Sequence, residues 1–140
     1  MFRKTFYYLK QIRVKIVMAK TTKADFKLFK RECEKWIDIF GLHGYEFRYS
    51  HENSEESDTL ADVVWETVHR SSHIVLYENW PDCYEKDDYQ IRLCAFHEVF
   101  HVFIGKLSNL AKARYIKERE VEEEEHAIIR TLERVLFPKY

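Results

Sequence analysis

Turn-forming residues are scarce in this chain, with three glycines and two prolines in 140 residues. That excludes collagen-like and glycine- or proline-rich low-complexity proteins and favours long, helix-rich elements. Cysteine is scarce too: Cys33, Cys83 and Cys94 are odd in number and far apart. Neither a disulfide framework nor a CxxC zinc knuckle can be read from that spacing, so reduced thiols in a cytoplasmic protein are expected. No apolar run is long enough to cross a bilayer, and no membrane partner is expected. Acidic residues are missing before Asp25, where every charge is basic. Lys10, Arg13 and Lys15 break up this first stretch and no small-residue cleavage site follows, which argues against a secretory signal. Met18 offers an alternative start.

What is present suits one globular domain. An apolar fraction of 46% is enough for a hydrophobic core, and the length suits one core rather than two. We expect a basic extension over residues 1–20, which need not be ordered, and a single domain over residues 21–140. The formal net charge of −1 conceals an asymmetry, because the run from Glu118 to Glu125 is mostly acidic.

Periodicity predicts an α+β domain with more helix than strand. From Thr22 to Phe40, Phe26, Phe29, Cys33, Trp36, Ile37 and Phe40 recur at helical spacing, and Gly41 and Gly44 end the helix. Tyr45, Phe47 and Tyr49 alternate with polar residues as in a half-buried strand. The segments from Leu60 to Val68 and from His73 to Tyr77 are rich in β-branched and aromatic residues, and the link from His69 to Ser72 makes them a hairpin. Asp87 or Asp88 should cap a helix whose segment from Ile91 to Ile104 is apolar almost all round, and so buried. A last helix from about Lys117 sets Val121, Ile128, Ile129, Leu132, Val135 and Leu136 on one side, packed against the rest. The expected order is a helix, three strands in a small antiparallel or mixed sheet, a buried helix and a packed helix.

Within the buried helix the chain reads Cys94-Ala95-Phe96-His97-Glu98-Val99-Phe100-His101, a His-Glu-x-x-His pattern. Residues four apart lie on one helix face, so His97 and His101 can grip one Zn2+ ion. Glu98, one position on, can reach a water on that ion and take its proton during attack on a carbonyl. Ionisable groups in an apolar helix need partners to offset desolvation, and a metal supplies them. A catalytic zinc usually has a third protein ligand. On the last helix Glu125 falls four residues after Val121 and three before Ile128, which makes it the leading candidate. Glu122, Glu124 and His126 stand beside it as alternatives. Tyr115, Arg114, His69 and His73 are candidate oxyanion-stabilising groups, but exposed Tyr and Arg in a link, or His beside a turn, are more often structural, and none is named catalytic.

The pentamer His97-Glu98-Val99-Phe100-His101, followed after a short link by a helix reading Glu125-His126-Ala127-Ile128-Ile129-Arg130-Thr131-Leu132, resembles the small zincin-like metallopeptidases of bacteriophages and bacterial genomes, relatives of the minimal gluzincins. The resemblance runs from about Tyr45 to Leu136 and is most specific at the pentamer. It implies a minimal zincin-like fold, a hydrolase cutting peptide bonds of a protein substrate in a bacterial or phage-infected cytoplasm, His97 and His101 as zinc ligands, Glu98 as general base and a downstream Glu as third ligand. It also implies that the strand pair from Leu60 to Tyr77 forms the sheet edge on which an extended peptide adds. The family pattern departs at the run Glu122 to Glu125, where four consecutive acids leave the ligand register open.

Two other classes compete. In one, zinc stabilises a non-catalytic protein-binding or regulatory module, with His126 or a cysteine closing the coordination. In the other, Arg3, Lys4, Lys10, Arg13, Lys15 and Lys20, interleaved with Phe2, Phe6, Tyr7 and Tyr8, contact nucleic acid. The near-neutral whole chain makes that basic tract the weaker signal.

Overall fold

Thr22 carries the short hydroxyl that a helix start requires, and the first helix begins on it. Thr22 Oγ1 accepts from the Asp25 amide at 3.2 Å, while the Asp25 carboxylate accepts from the Thr22 amide at 2.7 Å. The two bonds form a capping box that satisfies two otherwise orphaned donors. At the other end Gly41 adopts φ +69°, a left-handed conformation that a side chain would strain. The computed structural model describes residues 19–54 and 58–138. In chain order its elements are β1 (Ala19–Lys20), α1 (Lys23–Phe40), β2 (Glu46–Glu52), β3 (Ala61–Glu66), β4 (Ser71–Tyr77), β5 (Asn79–Trp80), α2 (Asp88–Phe103), α3 (Gly105–Lys112) and α4 (Glu118–Leu136).

Among the described residues the protein is thus mixed α+β, with four helices and two small sheets. The larger sheet has the order β2-β4-β3. β4 runs parallel to β2, with Glu46 opposite Ser71, and antiparallel to β3, with Ala61 opposite Leu76. The expected hairpin is therefore present, and its turn passes through Arg70 at φ +49°. The smaller sheet pairs β1 with β5 antiparallel. Neither of these two-residue strands has a periodicity that could announce it. Of the expected extension, Ala19 and Lys20 belong to β1; residues 1–18, with most of the basic and aromatic tract, lie outside the described residues.

One face of the larger sheet and the helices α1 and α2 enclose the core. Phe29, Ile74, Leu76, Trp80, Ile91, Ala95 and Val99 are each fully buried. The large apolar side chains among them contribute about 2 kcal/mol apiece by leaving water. Phe40 joins the layers, stacking on Phe103 at 4.5 Å and meeting Phe100 edge-on at 5.8 Å. Across α1 and α2, buried Glu32 pairs with Lys35 at 2.8 Å and with Arg92 at 3.7 Å.

Three expectations are corrected. First, α2 is not buried all round: Arg92, Leu93 and His97 are exposed, and Phe96, Phe100 and His101 are half-buried. Aromatic residues on its outer flank meet Trp36 and Phe40 rather than a further layer. Second, the link to the last helix contains a helix of its own, α3. Third, α4 has no buried residue. Its half-buried stripe is Val121, Glu124, Ile128, Thr131, Leu132 and Val135, while Ile129 is 42% and Leu136 66% exposed. The stripe is turned by about one residue from the one expected, so Glu124 faces inward and Glu125 faces out.

Candidate metal centre

The side chain of Asp87 accepts from the Gln90 amide at 2.8 Å and starts α2. The apolar residues of the helix then fix which face meets the core, and so where the pentamer points. Ile91, Cys94, Ala95, Val99 and Val102 enter the core, together with Glu98, which is only 7% exposed. One turn apart on the adjoining face, His97 Nε2 and His101 Nε2 lie 3.1 Å from each other. Their rings are nearly perpendicular, at 81° with centroids 4.7 Å apart. The two nitrogens thus converge on the space in front of the helix.

Electrostatics separates the three groups. Burial strips water from the Glu98 carboxyl, the negative charge of Asp62 on β3 adds repulsion, and together they push its pKa up to about 7. Burial and the neighbouring His97 hold His101 below the ordinary imidazole value, while Asp62 pulls the other way. A neutral imidazole is the form that can donate a lone pair to a metal. Cys94 and Cys33 are kept as thiols, the former pushed up to about 11 chiefly by burial and the latter raised well above its ordinary value for the same reason. All three cysteines are free.

Beside the pair opens a cavity of about 340 Å³, lined by His97, Glu98, Cys94, Leu93, Gln90 and Tyr84 from the helix side and by Asp58, Thr59, Leu60 and Ala61 at the start of β3. It is therefore bounded by the base candidate and one ligand candidate on one wall and by a strand on the other. A larger hollow of about 470 Å³, between Phe40, Val68, Arg70, Lys106, Glu124 and Ile128, contains none of the pentamer's ionisable residues in its lining.

The residues present fit a metal in part. Two imidazole nitrogens on one tetrahedral zinc stand about 3.3 Å apart, close to the separation found here. The third donor is not assembled: among the described residues no three His, Cys, Asp or Glu side chains stand together as a metal-binding group. Glu125 is exposed and is not brought beside His97 and His101. Glu124 pairs with Lys106 at 3.2 Å, and the His126 ring Nδ1 lies 2.8 Å from the Glu122 carbonyl one turn back. The oxyanion candidates make other contacts. Tyr115 is 87% exposed with Arg114 over its ring, His69 approaches Glu66 at 3.6 Å, and His73 bonds Ser50 at 2.7 Å.

Two residues at the site went unread in the sequence. Asp62 acts on both Glu98 and His101, and Trp65 lies nearly parallel to the His101 ring, 12° off plane at 6.0 Å. Strand alternation from Ala61 and Val63 does carry the signal for Trp65, since it turns the indole to the same inner face. No protein-family model matches the chain, and neither a curated protein nor a solved structure matches it.

Proposed function

We propose that this chain is a zinc-dependent peptidase of zincin-like fold that hydrolyses peptide bonds of a protein substrate, in the manner of the small phage and bacterial enzymes it resembles. The observation that carries the reading is the convergence of His97 and His101 at 3.1 Å with the buried carboxyl of Glu98 one residue from the first. His97 and His101 would hold the ion, which supplies Lewis-acid activation of water and of a substrate carbonyl. Glu98 takes a proton on a carboxylate oxygen and returns it to the departing amine. A carboxyl with its pKa near neutrality suits both halves of that task. The cavity between α2 and the start of β3 receives the substrate, and β3, an end strand of its sheet, offers its edge to an extended peptide.

Glu125 is retained as the proposed third ligand. It faces solvent in the arrangement described, so its recruitment requires α4 to turn about the exposed link of residues 113–117. The free thiols favour a reducing compartment, and we assign the protein to the cytoplasm of a bacterial or infected cell. No helix among the described residues is long and apolar enough to cross a membrane.

Metal analysis of the purified protein paired with Glu98→Gln tests the reading. About one zinc per chain that survives the substitution, with proteolysis of an unfolded protein substrate abolished, is expected. A folded wild-type protein that takes up no zinc from stoichiometric solution would overturn it.

A further inference from the structure

We propose that Trp65 is a positioning residue that fixes the ring of His101, and that position 105 is glycine because the indole occupies the space a side chain there would need. The inference rests on the metal site proposed above. His97, His101 and Gly105 are each four residues apart, so they follow one another along one helical row. Ile104, between α2 and α3, barely interrupts that path: its amide donates to the Phe100 carbonyl at 3.0 Å and its carbonyl accepts from Ser108 at 3.0 Å. The first two members of the row project imidazoles and the third projects nothing.

The indole of Trp65 fills that vacancy. A Cβ added to Gly105 would collide with Trp65 Nε1 and stand 2.9 Å from Cδ1 and 3.0 Å from Cε2, so the indole would have to shift to admit it. The backbone makes no demand for glycine here, because among the described glycines only Gly41 has a positive φ. Space alone excludes a larger residue. Lodged there, the indole lies nearly parallel to His101 at 6.0 Å. A second contact joins the turn after β3 to α3, where Asn109 Nδ2 donates to Thr67 Oγ1 at 2.8 Å. The imidazole is thereby flanked on one side by the indole, which limits the swings that would carry Nε2 away from His97. A ligand held in its binding geometry beforehand surrenders less freedom when the ion arrives, and for scale the loss of a hydrogen-bonded outer partner changes metal affinity by about tenfold or more.

The test compares Trp65→Ala, Trp65→Phe, Gly105→Ala and the double variant Trp65→Ala/Gly105→Ala. Zinc affinity is read by competition with a chromophoric chelator, and the His101 ring protons are read by NMR in the metal-free protein. In the wild type, ring current from the indole should displace the His101 resonances. Trp65→Ala should remove that displacement and weaken zinc binding about tenfold, and Trp65→Phe should restore part of both. Gly105→Ala should reproduce Trp65→Ala by expelling the indole. In the double variant the added methyl meets open space and should cost nothing further. His101 resonances unmoved by loss of the indole, zinc affinity equal to wild type in Trp65→Ala, or a Gly105→Ala loss that persists in full without Trp65 would each overturn the proposal. If Trp65→Ala does not fold, Trp65→Phe and Gly105→Ala decide by the same readings. A wild type that binds no zinc defeats the metal site, while the metal-free ring-proton shifts still decide whether the indole fixes His101.

Discussion

Replacing Glu98 by Gln should make the metal-free protein more stable at alkaline pH, although the variant removes a group assigned to chemistry. Burial and Asp62 raise the pKa of this carboxyl from 4.5 to about 7 in the folded state. Between those values the folded protein holds a proton that the unfolded chain has released, so stability falls as pH rises. The contribution of Glu98 is full below pH 4.5, declines from there to about pH 7, and is at its lowest above it. The gap corresponds to about 3 kcal/mol. Gln keeps the shape and cannot ionise, so in a chelator-containing buffer at pH 8 Glu98→Gln should gain about 3 kcal/mol. That is a rise of about 10 °C in Tm for a domain of this size. At pH 4.5 the two proteins should agree to within about 0.5 kcal/mol. His101 works in the opposite sense: its pKa is lowered, so its contribution is present above about 6.5 and is lost as pH falls. Subtracting wild type from variant at each pH removes it. Urea titrations at pH 4.5, 6 and 8 measure the difference directly. A variant less stable than wild type at pH 8, or a difference that is the same at all three values, refutes the reasoning.

Three further outcomes follow from the same geometry. His97→Ala and His101→Ala should each abolish zinc retention after dialysis, and chelation of the wild type should lower its Tm in calorimetry, because a ligand of the folded state stabilises it by mass action. In the acidic run, Glu125→Ala should weaken zinc retention far more than Glu123→Ala. Equal losses reject that register, and a dominant effect of Glu124→Ala moves the ligand one position back. Thr22→Ala should cost about 1 kcal/mol by removing the side-chain half of the capping box at α1, with proteolysis unchanged once the protein is folded.

Much of the architecture was legible because the periodic segments are long. The helical repeat from Phe26 to Phe40 and its end at Gly41 lie where pattern and turn chemistry put them, and the hairpin is present although its turn spans residues 67–70 rather than the expected link from His69 to Ser72. The pentamer was legible for the same reason: four-residue spacing on a helix fixes a shared face whatever surrounds it. Burial was not. Apolar residues almost all round α2 suggest enclosure, yet His97 is exposed, and Phe96 and Phe100 cover their own flank with each other and with α1. Glu98 meets the expected desolvation most fully, and His101 only in part. The inward face of α4 is not legible to one residue because Glu124 and Glu125 both neighbour the apolar stripe; in the structure Glu124 is the half-buried one and pairs with Lys106. That lysine belongs to α3, a helix of eight residues with too few apolar positions to be seen in the sequence.

The middle strand of the larger sheet has a consequence for how the chain is made. β2 and β3 leave the ribosome before β4, yet among the described residues each pairs only with β4. Until Ser71–Tyr77 has been synthesised, two strands therefore wait with open edges, and the helix bearing His97, Glu98 and His101 has not yet emerged to cover their inner faces. The hairpin turn brings β4 to β3 by a short local closure, whereas β2 must be captured across a longer loop. The nascent chain is thus most exposed to edge-to-edge association in the interval before β4 arrives.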